Sequence, residues 1–212
     1  MTTIDIETAR ALYEAGGGGH DFDHVLRVTA LAEHIARAEG ADLAVVRTAA
    51  LLHDVAESAD RERHHLLGAE RAREILAGRP AAFVDAVAHA IEAHRFRHDP
   101  QPRTIEAQVL SDADKLDAIG AIGVGRAFAY AGAAGTSLWR QPWSAIAGQS
   151  GDALQAPAEL GEGYTPVHEF VYKLDRIPER LFTATAKAIA HDRRAFMREF
   201  FDRLDREAMG EA

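Results

Sequence analysis

The chain has 212 residues, of which 47% are hydrophobic and 27% are charged, as is typical of one soluble globular domain. It contains no cysteine, which excludes disulfide scaffolds, cysteine nucleophiles and iron–sulfur ligation by the chain. Its 33 acidic and 24 basic residues give a net charge of −9, which argues against general nucleic-acid binding and a polybasic membrane anchor. The 11 histidines and the carboxylates are therefore the main metal ligands that the chain offers.

The sequence also predicts where the protein is located. The N-terminus has no basic segment followed by an apolar core, so we expect no signal peptide. No apolar run approaches the roughly 20 residues needed to span a bilayer. We therefore expect a cytoplasmic protein with no membrane partner.

Good helix formers and apolar residues at helical spacing predict helices along most of the chain. We predict helices over residues 4–14, from about residue 21 or 23 onward, and over residues 42–57, 65–76, 81–95, 104–119 and 179–209. The glycines at 16–19 are interpreted as a flexible connector, and the small residues at 120–135 fit a helix packed closely against a neighbour. Residues 136–163 show no clear period, which is typical of a functional or mobile loop.

The same patterns predict the fold class. The sequence shows no convincing alternating strand, no internal repeat and no domain linker. We therefore expect a single all-α domain over residues 1–212.

The strongest local signal for chemistry is the dipeptide His53–Asp54 at the end of a predicted helix. The apolar stripe of Leu43, Val46 and Ala50 continues at helical spacing to His53. Two ionisable residues at the end of a buried stripe cost free energy unless they are paired or bind a metal. The dipeptide alone fits either a mutually paired histidine and aspartate or a metal site.

Two further ligand-type residues lie on the apolar faces of other predicted helices. His24 shares a face with Val28 and Leu31, and Asp112 lies three residues after Val109. Each residue alone fits a satisfied polar group of the core, but three helices that each carry a ligand type favour a divalent metal site. The candidate metal ligands are therefore His24, His53, Asp54 and Asp112.

Charged residues one helical turn from these candidates extend the predicted site. Glu57 follows the His–Asp dipeptide and could orient water or accept its proton, or it is an ordinary acid at a helix end. Lys115 lies one turn after Asp112, and Arg27 lies one turn after His24. Either cation could hold a phosphate near the metal, or could be a solvated surface charge.

The remaining histidines divide by position. His94 continues the apolar stripe of Val87 and Ile91, so we expect it to point inward and to bind phosphate or a second metal. His89 lies roughly opposite that stripe, and His20 precedes the second helix near the same mouth. No stripe supports a functional role for the others, which we interpret as surface or structural residues: His34, His64, His65, His98, His168 and His191.

Several segments around these residues resemble one protein family. They are HDFDHVLRV (20–28), LLHDVAE (51–57), HAIEAHRF (89–96), SDADKLDAIGAIGVGRAF (111–128) and FVYKLDRIPERLFTATAK (170–187). In this order they resemble a small bacterial branch of the HD-domain metal-dependent phosphohydrolases. The resemblance covers about residues 20–205.

The resemblance implies an all-helical HD-type bundle with a metal-site core at 20–120, a loop or lid at 136–163 and C-terminal helices at 164–209. It implies that His24, His53, Asp54 and Asp112 bind a divalent ion, which could be Mn, Mg, Fe, Co, Ni or Zn. It also implies that two histidines between the dipeptide and the last aspartate can serve a second ion or the phosphate. His89 and His94 lie in that interval.

The activity expected from the resemblance is hydrolysis of a nucleotide, with a nucleoside triphosphate cleaved to the monophosphate and pyrophosphate. Asp54 would hold the metal and accept a proton, and Glu57 would position the nucleophile. The expected substrate-binding residues are Arg27, Lys115, His94, His89 and His20. Two alternatives stay open: a nucleoside monophosphate phosphatase, and a regulatory module that binds metal or nucleotide without turnover. Residues 136–163 are also a candidate contact of a homodimer.

Overall fold

The structure is a computed structural model that describes residues 4–15, 22–56, 60, 63–95, 100–147 and 161–211. These residues form helices and connecting segments, and no β-strand occurs among them. Two short 3₁₀ helices cover Gly161–Gly163 and Leu174–Arg180. The α-helices, in chain order, are α1 (Ile6–Ala15), α2 (Phe22–Glu39), α3 (Leu43–Leu52), α4 (His64–Ile75), α5 (Ala81–Glu92), α6 (Ile105–Asp117), α7 (Gly120–Ala134), α8 (Trp143–Ala147), α9 (Pro166–Tyr172) and α10 (Ala184–Met209).

The predicted all-α class is confirmed, and the helix ends show where local chemistry overrides the periodic pattern. α3 ends at Leu52, five residues before the predicted end, because the chain turns at the His–Asp dipeptide. The last helix begins at Ala184 instead of residue 179, because Pro178 lies in a preceding 3₁₀ helix. Residues 143–147 of the predicted loop form α8, while residues 148–160 lie outside the described part.

The chain groups into two compact units by its internal contacts. Unit 1 comprises Met1–Leu116 and Leu181–Ala186, and unit 2 comprises Asp117–Arg180 and Lys187–Ala212. The expectation of a single domain over the whole chain stays a prediction. All described residues of the predicted metal site lie in unit 1.

Helix α3 lies at the centre of the core of unit 1. Asp42 caps this helix, since its carboxylate accepts hydrogen bonds from the N–H groups of Ala44 at 2.8 Å and Val45 at 3.2 Å. From Val45 to Leu52 nearly every residue is buried, so α3 contacts neighbours on almost all sides. Its C-terminal end therefore carries the His–Asp dipeptide into the interior of the unit.

Unit 2 is organised around aromatic side chains of α9 and α10. The rings of Phe170 and Phe201 are stacked, with centroids 4.3 Å apart. Trp139 donates its indole N–H to Asp205 at 2.7 Å, and Trp143 donates its indole N–H to Asp202 at 2.8 Å. These bonds hold the described part of the predicted loop against α10.

Among the helices that the structure describes, none is long and apolar enough to cross a membrane.

Candidate metal centre

The turn after α3 presents His53 with a defined ring orientation. His53 is fully buried, and its Nδ1 lies 2.8 Å from the carbonyl oxygen of Ala50. Because a carbonyl can only accept, Nδ1 carries the proton and the lone pair of Nε2 faces away from the helix. His94 repeats this arrangement at the end of α5, with its Nδ1 2.5 Å from the carbonyl oxygen of Ile91. Both rings thus present the tautomer that a metal ligand requires.

His24, His53 and Asp114 form the first group that could hold a metal ion. The two Nε2 atoms of His24 and His53 lie 3.3 Å apart, and Oδ1 of Asp114 lies 3.4 Å from Nε2 of His24. The three residues come from α2, from the end of α3 and from α6. Two imidazoles and a carboxylate suit a borderline divalent ion.

Asp54, His64 and His94 form a second group beside the first. The Nε2 atoms of His64 and His94 lie 3.4 Å apart. Oδ1 of Asp54 lies 3.4 Å from Nε2 of His64 and 3.6 Å from Nε2 of His94. This group adds the first residue of α4 and the second residue after the end of α5.

Asp54 lies between the two groups. Its Oδ2 faces the first histidine pair, 3.3 Å from Nε2 of His53 and 3.7 Å from Nε2 of His24. Its Oδ1 faces the second pair and is buried without a hydrogen-bond partner among the described residues. A buried carboxylate oxygen normally accepts hydrogen bonds or binds a cation. The histidine nitrogens, the carboxylate oxygens and this buried oxygen of Asp54 therefore fit a divalent metal ion.

The charges of the cluster also suit a cation. Burial alone would raise the pKa of Asp54, but His53 and His94 outweigh it and hold the pKa well below the ordinary value. Burial likewise opposes ionisation of Asp114, yet the neighbouring histidines lower its pKa. Burial disfavours the charged form of His53, but Asp54 beside it raises the pKa of His53 overall. Two carboxylates of the cluster are thus ionised at neutral pH.

Asp112, the predicted fourth ligand, belongs to neither group. Its carboxylate accepts hydrogen bonds from the N–H of Phe182 at 3.0 Å, and from the N–H and the hydroxyl of Thr183 at 2.8 Å each. Burial raises the pKa of Asp112 despite these donors. Asp112 therefore anchors the segment before α10, and Asp114 takes the place expected for it in the cluster.

The structure groups His64 with His94, whereas the sequence predicted His89 beside His94. Nε2 of His89 accepts the N–H of Arg103 at 3.2 Å, and His89 belongs to neither group. His64, interpreted from the sequence as surface or structural, is buried within the cluster.

The other predicted site residues are placed as follows. Arg27 is half-buried on α2, one turn after His24. Lys115 is buried on α6 and donates to both the carbonyl and the hydroxyl of Ser111. His20 and Glu57 lie outside the described residues.

Sequence reasoning missed Asp114, His64 and Tyr13. The hydroxyl oxygen of Tyr13 on α1 accepts the backbone N–H of Asp54 at 3.2 Å. A signal existed for His64, since it lies between the dipeptide and the last aspartate, where the family resemblance allows two histidines. No pattern in the sequence connects Tyr13 to the site, because the contact joins residues that are 41 positions apart.

Comparison with known proteins agrees with the helical fold. Residues 21–119 match the HD domain family. The chain is 35% identical to the Bacillus subtilis protein YpgQ over 197 residues, which cover 91% of this chain and 86% of YpgQ. A crystal structure of YpgQ in complex with ADP matches 98% of this chain and 100% of that one, with 32% identity and a TM-score of 0.71.

Two further relatives differ in how much of each protein is matched. An HD-superfamily hydrolase from Bacillus thuringiensis is 27% identical, with a TM-score of 0.71, and the match covers 95% of this chain and 93% of that one. Ribonuclease Y of Chloroflexus aurantiacus is 40% identical over 110 residues, which cover 50% of this chain and 20% of that protein.

The fold and the site define a helical hydrolase that depends on divalent metal. The chain belongs to the HD-domain family, as the similarity to YpgQ over most of both proteins and the match of residues 21–119 show. It is a metal-dependent phosphohydrolase.

Proposed function

We propose that this protein hydrolyses nucleoside triphosphates to the monophosphate and pyrophosphate at a centre of two divalent ions. The observation that carries the proposal is the position of Asp54, whose two carboxylate oxygens each face a different histidine pair. The ADP complex of the relative YpgQ supports a nucleotide as the ligand.

The proposed ligands follow the two groups of the cluster. His24, His53 and Asp114 would hold one ion, His64 and His94 would hold the other, and Asp54 would contribute one oxygen to each. Divalent ions bound there would supply Lewis-acid chemistry, which withdraws charge from phosphoryl oxygens and makes water more acidic.

The reaction itself is the attack of water on the α-phosphorus. A bond forms from the water oxygen to this phosphorus, and the bond from it to the oxygen that leads to the β-phosphorus breaks. Pyrophosphate leaves with the electron pair, and one water proton must be accepted. Asp54 was the acceptor expected from the resemblance, but each of its oxygens faces a histidine pair, so Glu57, three residues later in the sequence, is proposed as the acceptor.

Cations of the chain are proposed to neutralise the phosphate oxygens. Arg27 is one turn from His24 on α2, and Lys115 follows Asp114 directly on α6. With a net charge of −9, the chain needs such local cations to bind a polyanion. His20 and His89 stay predicted contacts of the substrate.

A substrate panel with identified products tests the proposal. The metal-free protein is supplied in turn with Mn²⁺, Mg²⁺, Co²⁺, Ni²⁺, Fe²⁺ and Zn²⁺, and offered nucleoside tri-, di- and monophosphates and a short RNA. We expect monophosphate and pyrophosphate in equal amounts. Free phosphate with nucleoside, cleaved RNA, or binding without turnover would each contradict the proposed reaction.

Variants link the reaction to the cluster. His53→Ala and Asp54→Ala should lose metal and activity together. His34→Ala is a matched control, because His34 is an exposed residue of α2 and belongs to neither group. Unchanged activity in both cluster variants would overturn the proposal.

A further inference from the structure

We infer that Tyr13 is a positioning residue for the metal centre, because its hydroxyl stabilises the backbone turn that aims both carboxylate oxygens of Asp54. Tyr13 lies on α1, which precedes the residues 21–119 that match the HD domain family. The inference rests on the ligand set of the proposed function and adds a residue that supports it.

Two hydrogen bonds at the turn of the His–Asp dipeptide differ from the pattern of a continuing α-helix. In a continuing α-helix, the N–H of Asp54 would donate to the carbonyl oxygen of Ala50. Here Nδ1–H of His53 donates to that oxygen at 2.8 Å. The N–H of Asp54 donates instead to the hydroxyl oxygen of Tyr13 at 3.2 Å. The hydroxyl of Tyr13 thus accepts from the N–H of Asp54 in place of the Ala50 carbonyl, to which His53 donates.

The replacement matters because both residues of the dipeptide are proposed ligands. Without the hydroxyl, the N–H of Asp54 would turn toward the carbonyl of Ala50, which already accepts from Nδ1 of His53 and would then be shared by two donors. If His53 loses that bond, its ring loses the hydrogen bond that orients Nε2 toward the cluster. If Asp54 turns toward the carbonyl, its two oxygens leave the histidine pairs. Either change weakens metal binding.

The ring of Tyr13 is held by contacts that do not involve its hydroxyl. The residue is buried, and its ring packs edge-on against Phe22 with centroids 5.3 Å apart. The guanidinium of Arg10 lies 4.4 Å from the centroid of the Phe22 ring. Tyr13→Phe should therefore keep the packing of α1 and remove only the hydroxyl.

Calorimetric titration with Mn²⁺ tests the inference directly. Wild type, Tyr13→Phe and Tyr130→Phe are freed of metal with a chelator and then titrated. Tyr130 is a matched control because the same atom is removed from a side chain that is 73% exposed. We expect Tyr13→Phe to bind Mn²⁺ about tenfold more weakly, the lower end of the effect of residues that support metal ligands. Tyr130→Phe should bind like wild type.

A fourth variant separates positioning from general stability. Phe22→Leu loosens the packing around Tyr13 and keeps the hydroxyl, so it should lower the melting temperature and leave Mn²⁺ affinity near that of wild type. Equal Mn²⁺ affinity in Tyr13→Phe and wild type would overturn the inference. So would an equal loss of affinity in Phe22→Leu, since packing would then explain the effect.

The same titration distinguishes failure of this inference from failure of the proposed ligands. If His53→Ala binds Mn²⁺ like wild type, the ligand assignment itself fails. If His53→Ala loses the ion and Tyr13→Phe does not, only the role of Tyr13 fails. Neither result depends on which nucleotide the protein hydrolyses.

Discussion

Oδ1 of Asp114 lies 3.4 Å from Nε2 of His24, on the side of α6 that faces the histidine cluster. Asp112 precedes it by two residues on the same helix, but its carboxylate accepts hydrogen bonds from Phe182 and Thr183. Two residues on an α-helix are about 200° apart around its axis, so their side chains leave on nearly opposite sides. The carboxylate of Asp114 therefore belongs to the proposed metal site, whereas the carboxylate of Asp112 anchors the chain.

Alanine variants of the two aspartates should fail in different ways. Asp114→Ala removes a proposed ligand, so we expect a loss of metal affinity and activity of tenfold or more with little change in melting temperature. Asp112→Ala leaves buried N–H groups unpaired, which should cost about 1–3 kcal/mol of stability while metal binding persists. Metal analysis and thermal unfolding of both variants check this. The opposite pattern would restore Asp112 as the ligand.

Removal of His64 should lower the number of bound ions. His64 belongs only to the group on the Oδ1 side of Asp54, so His64→Ala should reduce two ions per chain to one. Atomic emission measurement of bound manganese, at a fixed free concentration, gives the count. His34→Ala should keep two ions. A count that is unchanged in His64→Ala would remove this residue from the ligand set.

Acid should weaken an ion-pair cluster in unit 2. Burial disfavours the charged form of Asp175, but Arg194 and Arg198 outweigh it and lower the pKa of this carboxyl to about 2. Both arginines donate to Asp175 at 2.9 Å. Because the pKa is lowered on folding, the stabilisation is complete above the ordinary value of 3.8 and is lost as the pH falls toward 2.

Asp175→Asn should therefore lower the free energy of unfolding at pH 7. The pKa shift corresponds to at most about 2.5 kcal/mol, and screening at the partly exposed arginines reduces this to about 1–2 kcal/mol. Urea unfolding between pH 7 and pH 2 should show the difference from wild type narrowing below about pH 4. A difference independent of pH would contradict this role of the carboxylate.

Two glycines of α7 should respond oppositely to the same substitution. A Cβ at Gly123 would lie 2.2 Å from the carbonyl oxygen of Ala118, whereas a Cβ at Gly125 would meet nothing within 4 Å. We expect Gly123→Ala to destabilise the protein by about 1–3 kcal/mol through overpacking. Gly125→Ala should stabilise it by up to about 1 kcal/mol, because alanine favours a helix interior. Chemical unfolding of the pair checks the prediction, and equal effects would contradict it.

The sequence predicted the helices well where one face is apolar and the other is exposed. On α2, Val28 is buried and Leu31 is half-buried, on the face that their spacing indicated. The family resemblance and the metal dependence are confirmed by the comparisons. The helical segment rich in small residues is α7, in which Gly123 allows a close approach of the backbone at Ala118.

The ligand positions were harder to predict because α6 is buried on most of its sides. Residues from Val109 to Ala113 are all buried, so an apolar stripe does not single out the face toward the histidines. His64 begins α4 without an apolar stripe before it, and Tyr13 reaches the site from a separate helix. These contacts depend on tertiary packing, which residue spacing within one helix does not encode.

The most direct test of the metal centre is anomalous diffraction from crystals of the protein loaded with Mn²⁺. We expect two peaks, one on either side of Asp54: one among His24, His53 and Asp114, and the other beside His64 and His94. Peaks at Asp112, or no peak within ligand distance of Asp54, would contradict this expectation.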